Sequence, residues 1–232
     1  MKQATSRSEE DRPAGAGRIP RCYVAIGDSF TAGHDREGDG GAPPVGSWSD
    51  ELAEWLRRAN PSLDYHNLGV VRARSDAVAR EQLERALELK PDLVSVICGA
   101  NDVLLSPRPD IDAYADTLSG MFTRLRTELP DPLLVTATTP DFSQNLGLRE
   151  RSRERVADGI RRLNEVTRRI AESHGVVCID FAEHPEAGMR ERFAADGYHP
   201  SPDSSRRAGT AAAYVLERRC GIPMGVPDWE EI

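Results

Sequence analysis

The sequence is poor in three things that would point elsewhere. Its four cysteines, Cys22, Cys98, Cys178 and Cys220, lie far apart with no Cys-x-x-Cys pair. Cys98 and Cys178 sit inside apolar, strand-like runs, where a thiol behaves as a small buried hydrophobe. The expectation is reduced, structural cysteines in a cytoplasmic protein. Positive charge is also short: 30 Lys and Arg stand against 38 Asp and Glu, a formal net charge of −8. A nucleic-acid partner needs a basic face, so none is expected. Long apolar runs are missing too. Residues 1–20 carry Lys2, Arg7, Glu9, Glu10, Asp11 and Arg12 around no apolar core, so neither a secretory signal nor a membrane span is expected. There is no metal-site spacing, no P-loop, no Gly-x-Gly-x-x-Gly fingerprint and no internal repeat, hence no expected cofactor and no expected metal.

What is present is enough chain for one sizeable domain. At 232 residues, 39% hydrophobic and 29% charged, it should bury roughly 70–75% of its unfolded surface without a disulfide or metal staple. Residues 1–20, polar and with Pro13, Gly15 and Gly17, read as a disordered arm. Residues 21–220 read as the domain and 221–232 as a tail. Within the domain, short apolar runs predict strands at 22–27, 64–68, 92–98, 132–138 and 176–181. Helical periodicity predicts helices at 48–59, 76–90 (with Ser75 as N-cap), 110–129, 148–173 and about 203–219. Strands alternating with helices imply a parallel five-stranded sheet covered on both faces. Ligands bind such sheets beyond the carboxyl ends of the strands. The loops at 34–47 and 139–147 have the position to form a pocket rim. The arginine-rich stretch 149–169 reads as a solvated, salt-bridged face, with Asp158–Arg162 and Glu165–Arg169 at i,i+4 spacing.

The chemistry lies at the strand ends. Cys22-Tyr23-Val24-Ala25-Ile26 runs into Gly27-Asp28-Ser29-Phe30-Thr31-Ala32-Gly33, a strand ending in a sharp turn with a serine at its tip. Serine needs a neighbouring base to become a nucleophile. His199, in Asp196-Gly197-Tyr198-His199-Pro200, is the best candidate. Asp196, three residues earlier, can reach its Nδ1 edge and leave Nε2 for the serine. His34, His66, His174 and His184 lack that setting. Acyl transfer also needs donors for a developing oxyanion. Candidates are the Ser29 N–H, the Gly69 N–H in Asn67-Leu68-Gly69, and the Asn101 amide in Gly99-Ala100-Asn101-Asp102.

These four blocks resemble those of the GDSL-type, or SGNH, hydrolases, in order and in rough spacing over residues 22–200. The resemblance implies a flavodoxin-like, three-layer α/β/α sandwich. It also implies a Ser29–His199–Asp196 triad, and an oxyanion hole from Ser29, Gly69 and Asn101. The Gly-x-Ser-x-Gly elbow of ordinary α/β-hydrolases is absent around Ser29. Phe30 stands where the family's name has leucine. After Gly69 the chain continues Val70-Val71-Arg72-Ala73-Arg74-Ser75 rather than with small residues. Arg72 and Arg74 are therefore candidate substrate-binding residues for a carboxylate or phosphate near the ester.

The resulting expectation is a serine hydrolase that cleaves a small-molecule carboxylic ester through an acyl-enzyme. The alternatives are an acyltransferase using the same acyl-enzyme, and a non-catalytic binding module on the same fold. The sequence leaves oligomeric state open.

Overall fold

A computed structural model of the chain describes residues 13–33 and 46–228. His34, Trp229 and most of the proposed 34–47 rim lie outside these residues, as do residues 1–12. The five apolar runs form strands β1 (Cys22–Gly27), β2 (Asp64–Asn67), β3 (Leu93–Ile97), β4 (Leu133–Ala137) and β5 (Val177–Ile179). They make one parallel sheet in the order β2-β1-β3-β4-β5. Strand order reverses at β1, and the crevice such a reversal opens lies beyond its carboxyl end.

The period of two along each strand divides the interior into two cores. Val24, Ile26, Val94, Val96 and Leu134 face one side. Tyr23, Ala25, Leu93, Leu133 and Val135 face the other. The first side is covered by α3 (Ser75–Glu81), α4 (Leu83–Glu88), α5 (Ala100–Leu104), α6 (Ile111–Glu128) and α7 (Glu150–Ser173). The second is covered by α2 (Trp48–Ala59) and α8 (Pro202–Cys220). The stripe Val156, Ile160, Leu163, Val166 and Ile170 of α7 is buried throughout. Local chemistry sets the helix ends. Ser47 and Asp50 form a capping box at the start of α2. Ser201 caps α8, with Pro202 in the first turn, and Gly221 ends it in a left-handed conformation (φ 72°). No helix among the described residues is long and apolar enough to cross a membrane.

Three expectations differ from the structure. The helix expected over 76–90 is two helices broken at Gln82, and Arg74 rather than Ser75 occupies the cap position. Ser75 instead donates its hydroxyl to Asp102 at 2.6 Å. Residues 13–20 are not a free arm. Gly17 donates its N–H to Cys220 O at 2.6 Å, and Gly15 lies so close to Leu133 N that a Cβ would come within 2.7 Å of it. The described part of the tail packs on the α2/α8 side, where Ile222, Met224 and Val226 are buried, and Glu217 accepts the N–H groups of Gly225 and Val226. On α7, Asp158 and Glu165 are both held by Arg161, each at 2.6 Å, rather than by Arg162 and Arg169.

Candidate active site

Ser29 opens a single helical turn, α1 (Ser29–Ala32), directly after β1. Asp28 caps it, accepting the Phe30 N–H at 3.0 Å. As the first helical residue, Ser29 has a backbone N–H without an intrahelical acceptor. The turn is sharp because Gly27 lies against β3: a Cβ there would be 2.0 Å from Ile97 O. Beyond β2, Val70 still donates its N–H to Gly27 O at 3.1 Å, and the Gln82 amide adds a second, peptide-like partner, accepting the Gly27 N–H and donating to its carbonyl.

His199 reaches this turn on a loop that closes back on itself. Phe193 and Pro200 form an antiparallel bridge, Ala194 donates to His199 O at 2.8 Å, and Ser201 donates to Arg192 O at 2.9 Å. The Arg190 guanidinium gathers the carbonyls of Phe193, Ala194 and Ala195 inside the loop. Sequence reasoning did not single out Arg190, since its partners are backbone atoms that converge only after folding.

The structure brings Ser29, His199 and Asp196 into one line. His199 Nε2 lies 2.8 Å from Ser29 Oγ, and His199 Nδ1 lies 2.6 Å from Asp196 Oδ2. Asp196 Oδ1 accepts the N–H groups of Tyr198 and His199, both at 3.1 Å. Partial burial pushes the Asp196 carboxyl up. The His199 hydrogen bond and the two backbone N–H groups outweigh it, so the group titrates below its ordinary value. Ser29 and His199 are 6% and 4% exposed, and the Tyr198 ring packs on the imidazole with centroids 4.1 Å apart.

The three expected oxyanion donors lie at the carboxyl ends of the adjacent strands β2, β1 and β3, in different states. Asn101, buried at the start of α5, donates one amide hydrogen to Ala73 O at 3.0 Å, which leaves its second hydrogen. Gly69 packs on the turn that carries Ser29, with a Cβ position only 2.4 Å from Ala32 N. Its N–H, expected to be open, is taken by Asn67 Oδ1 at 3.0 Å. Asn67 is fixed in turn by donating to Thr31 O at 2.6 Å.

Of the two candidate arginines, Arg74 leans toward Asp76 at 3.8 Å. Arg72 is exposed and held at φ 66°, a conformation that disfavours a long side chain. Its charge acts on Tyr198, lowering a phenol that burial and then Asp196 push up. Arg72 is thus the arginine nearer the His199 loop.

Asp28 is a further unusual group. Its carboxyl is wholly buried and its Oδ2 has no hydrogen-bond partner. Burial is the main cause that raises it to about 7; the Phe30 N–H opposes this and the Asp102 charge adds to it. Beside the site, a cavity of about 540 Å³ opens between the sheet and α8, lined by Phe30, Trp48, Ile97, Ile179, Phe193 and Pro200 among others. Ser29 and His199 are chain neighbours of this lining and not part of it.

A family model described as the GDSL-like Lipase/Acylhydrolase family matches residues 25–207. Solved structures share the fold. A lipase/acylhydrolase from Enterococcus faecalis is 22% identical with a TM-score of 0.63, covering 85% of this chain and 96% of its own. An acetylxylan esterase from Geobacillus stearothermophilus, solved as a catalytic mutant, is 20% identical with a TM-score of 0.63, covering 90% and 97%. An alpha/beta hydrolase enzyme from the metagenome of Lake Arreo, Spain, is 21% identical with a TM-score of 0.64, covering 89% and 97%. No curated protein matches the sequence.

Proposed function

This chain belongs to the GDSL-like lipase/acylhydrolase family and is a carboxylic ester hydrolase, and we propose that it works through an acyl-enzyme on Ser29. The observation that carries this reading is the buried line from Ser29 Oγ through the His199 imidazole to Asp196, at 2.8 and 2.6 Å. In this reading Ser29 Oγ attacks the acyl carbon while His199 Nε2 takes its proton. Asp196 holds the imidazole in the tautomer that leaves Nε2 basic and stabilises the imidazolium as it forms. The tetrahedral oxyanion is held by the Ser29 N–H and the second amide hydrogen of Asn101. Gly69 contributes by sharing its N–H between Asn67 and the oxyanion. His199 then returns the proton to the leaving alcohol, and the acyl group stays on Ser29 Oγ. Water, activated by the same imidazole, releases the acid.

The substrate we propose is a small or medium ester, with a carboxylate or phosphate near the scissile bond positioned by Arg72. The acyl-enzyme is tested by treating the protein with a fluorophosphonate and mapping the adduct. The expected result is one adduct on Ser29 and loss of esterase activity in Ser29→Ala. An unmodified Ser29, or full activity in that variant, would refute the reading.

A further inference from the structure

At the far end of β1 from Ser29, three side chains with metal-binding atoms meet on one face of the sheet. The β1–β2 register sets Cys22 beside Asp64 and Val24 beside His66. Residues two apart on a strand share a face, so Cys22, Asp64 and His66 all point to the side covered by α3 to α7. Their sulfur, carboxylate and imidazole atoms lie within 4.8 Å of one another. His66 Nε2 is 3.0 Å from Asp64 Oδ1, yet this buried nitrogen has no hydrogen-bond partner. The two atoms are close without being aligned as donor and acceptor. Cys22 Sγ makes only a weak contact of 3.8 Å with Leu89 O.

We propose that Cys22, Asp64 and His66 form a site for a zinc-class divalent cation that clamps the edge strand β2 onto β1. One thiolate, one imidazole and one carboxylate form a donor set that suits zinc and disfavours the harder magnesium and calcium. The Asp64 side chain is 66% and the His66 side chain 32% exposed, so solvent can supply water as a fourth ligand. The Cys22 thiol loses its proton to solvent as the sulfur–metal bond forms, and no electron is transferred. The thiolate and the Asp64 carboxylate then balance the charge of a divalent ion.

The placement gives the site a structural role. β2 has four residues and pairs with β1 alone, so a cation would add a cross-strand link at its start. Three residues beyond His66 lies Gly69, and Asn67 between them holds both Gly69 N–H and Thr31 O. A cation at the start of β2 would hold the strand that delivers this pair to the nucleophile turn. β1 runs from Cys22 to Gly27, roughly 17 Å at about 3.3 Å per residue, and Ser29 lies beyond its end, so the metal takes no part in the reaction. Sequence spacing could not show the site, because Cys22 and His66 meet only through strand pairing.

The test is titration of the full-length, chelator-treated protein with Co²⁺ and with Zn²⁺. The expected result is one equivalent of Co²⁺ with a sulfur-to-cobalt charge-transfer band, and a higher thermal midpoint in Zn²⁺ than in chelator. Cys22→Ser should abolish the band. His66→Ala should weaken binding at least as much as the roughly 10–100-fold that loss of an outer-shell partner costs. Both variants should match chelator-treated wild type in ester turnover, which checks their folding. Absence of the band in wild type at excess Co²⁺ overturns the proposal, as does a band that survives Cys22→Ser. Should Cys22→Ser not fold, unchanged Co²⁺ affinity in His66→Ala overturns it.

Discussion

The Gln82 side chain closes a two-point clamp on the backbone of Gly27: Oε1 accepts the Gly27 N–H at 2.8 Å and Nε2 donates to its carbonyl at 2.9 Å. An amide is the one side chain that copies a peptide group, and this one takes the Gly27 N–H while sharing its carbonyl with the Val70 N–H. The last strand residue before the Asp28–Ser29 turn therefore keeps a partner on both edges.

Removing the clamp should cost both stability and positioning. Gln82→Ala leaves the Gly27 N–H buried and unpaired, which costs about 1–3 kcal/mol. Thermal unfolding should begin several degrees lower, at about 2–4 °C per kcal/mol for a domain of this size. Ester turnover should fall with it, because the turn that carries the proposed nucleophile Ser29 loses its anchor. Gln82→Glu keeps the shape but loses one donor, and should fall between wild type and Gln82→Ala. Equal midpoints for all three proteins would show that the clamp carries no load.

Asn101→Ala should separate chemistry from folding. Loss of one oxyanion donor costs roughly a hundred- to a thousand-fold in kcat, about 2.7–4 kcal/mol of barrier. Loss of the bond to Ala73 O should cost stability by only about 0.5–1.5 kcal/mol. Steady-state kinetics beside thermal unfolding checks this. A kcat within a few-fold of wild type would remove Asn101 from the proposed oxyanion hole.

Asp28 predicts a particular pH dependence of stability. Its carboxyl rises from 3.8 to about 7 in the folded chain. Between those values the native state holds a proton that the unfolded state has released, so stability falls as pH rises through this window. Asp28→Asn should remove that loss, up to about 4 kcal/mol, while still accepting the Phe30 N–H. Denaturant unfolding at a series of pH values reads this directly. Parallel stability curves for wild type and variant would show that Asp28 ionises freely.

The two arginines should behave differently. With matched neutral and anionic esters, Arg72→Ala should lower kcat/KM for the anionic ester by about tenfold, the low end for a charge-assisted contact. The neutral ester should be unaffected. Arg74→Ala should change neither, because Arg74 leans toward Asp76. Equal discrimination by wild type and Arg72→Ala would sink the role given to Arg72.

Much of this architecture was legible before the structure, and the misses have physical causes. Buried parallel strands are apolar runs with turn residues at their ends, so the strand at 22–27 could be read to the residue. The stripes of α6 and α7 follow from amphipathic periodicity. The break at Gln82 could not be read, since glutamine is a good helix former, and neither could its side-chain clamp on Gly27, 55 residues away. Arg190 was invisible for a similar reason: its acceptors are carbonyls that converge only in the folded loop. Gly69 shows a different limit. Its small size was read correctly, but its N–H bonds the Asn67 side chain two residues back, a local turn that the Asn-x-Gly spacing itself could have suggested.

The pairing of Ser29 with His199 joins positions 170 residues apart. During synthesis Ser29 is made 170 residues before the imidazole it pairs with. Contacts of such long range form slowly, and α8 follows His199 directly before docking on α2. Under the proposed mechanism, a nascent chain that has not yet reached His199 carries an unactivated serine that cannot attack esters. Ester turnover in this protein is a readout of completed folding, and a stalled translation product should be silent.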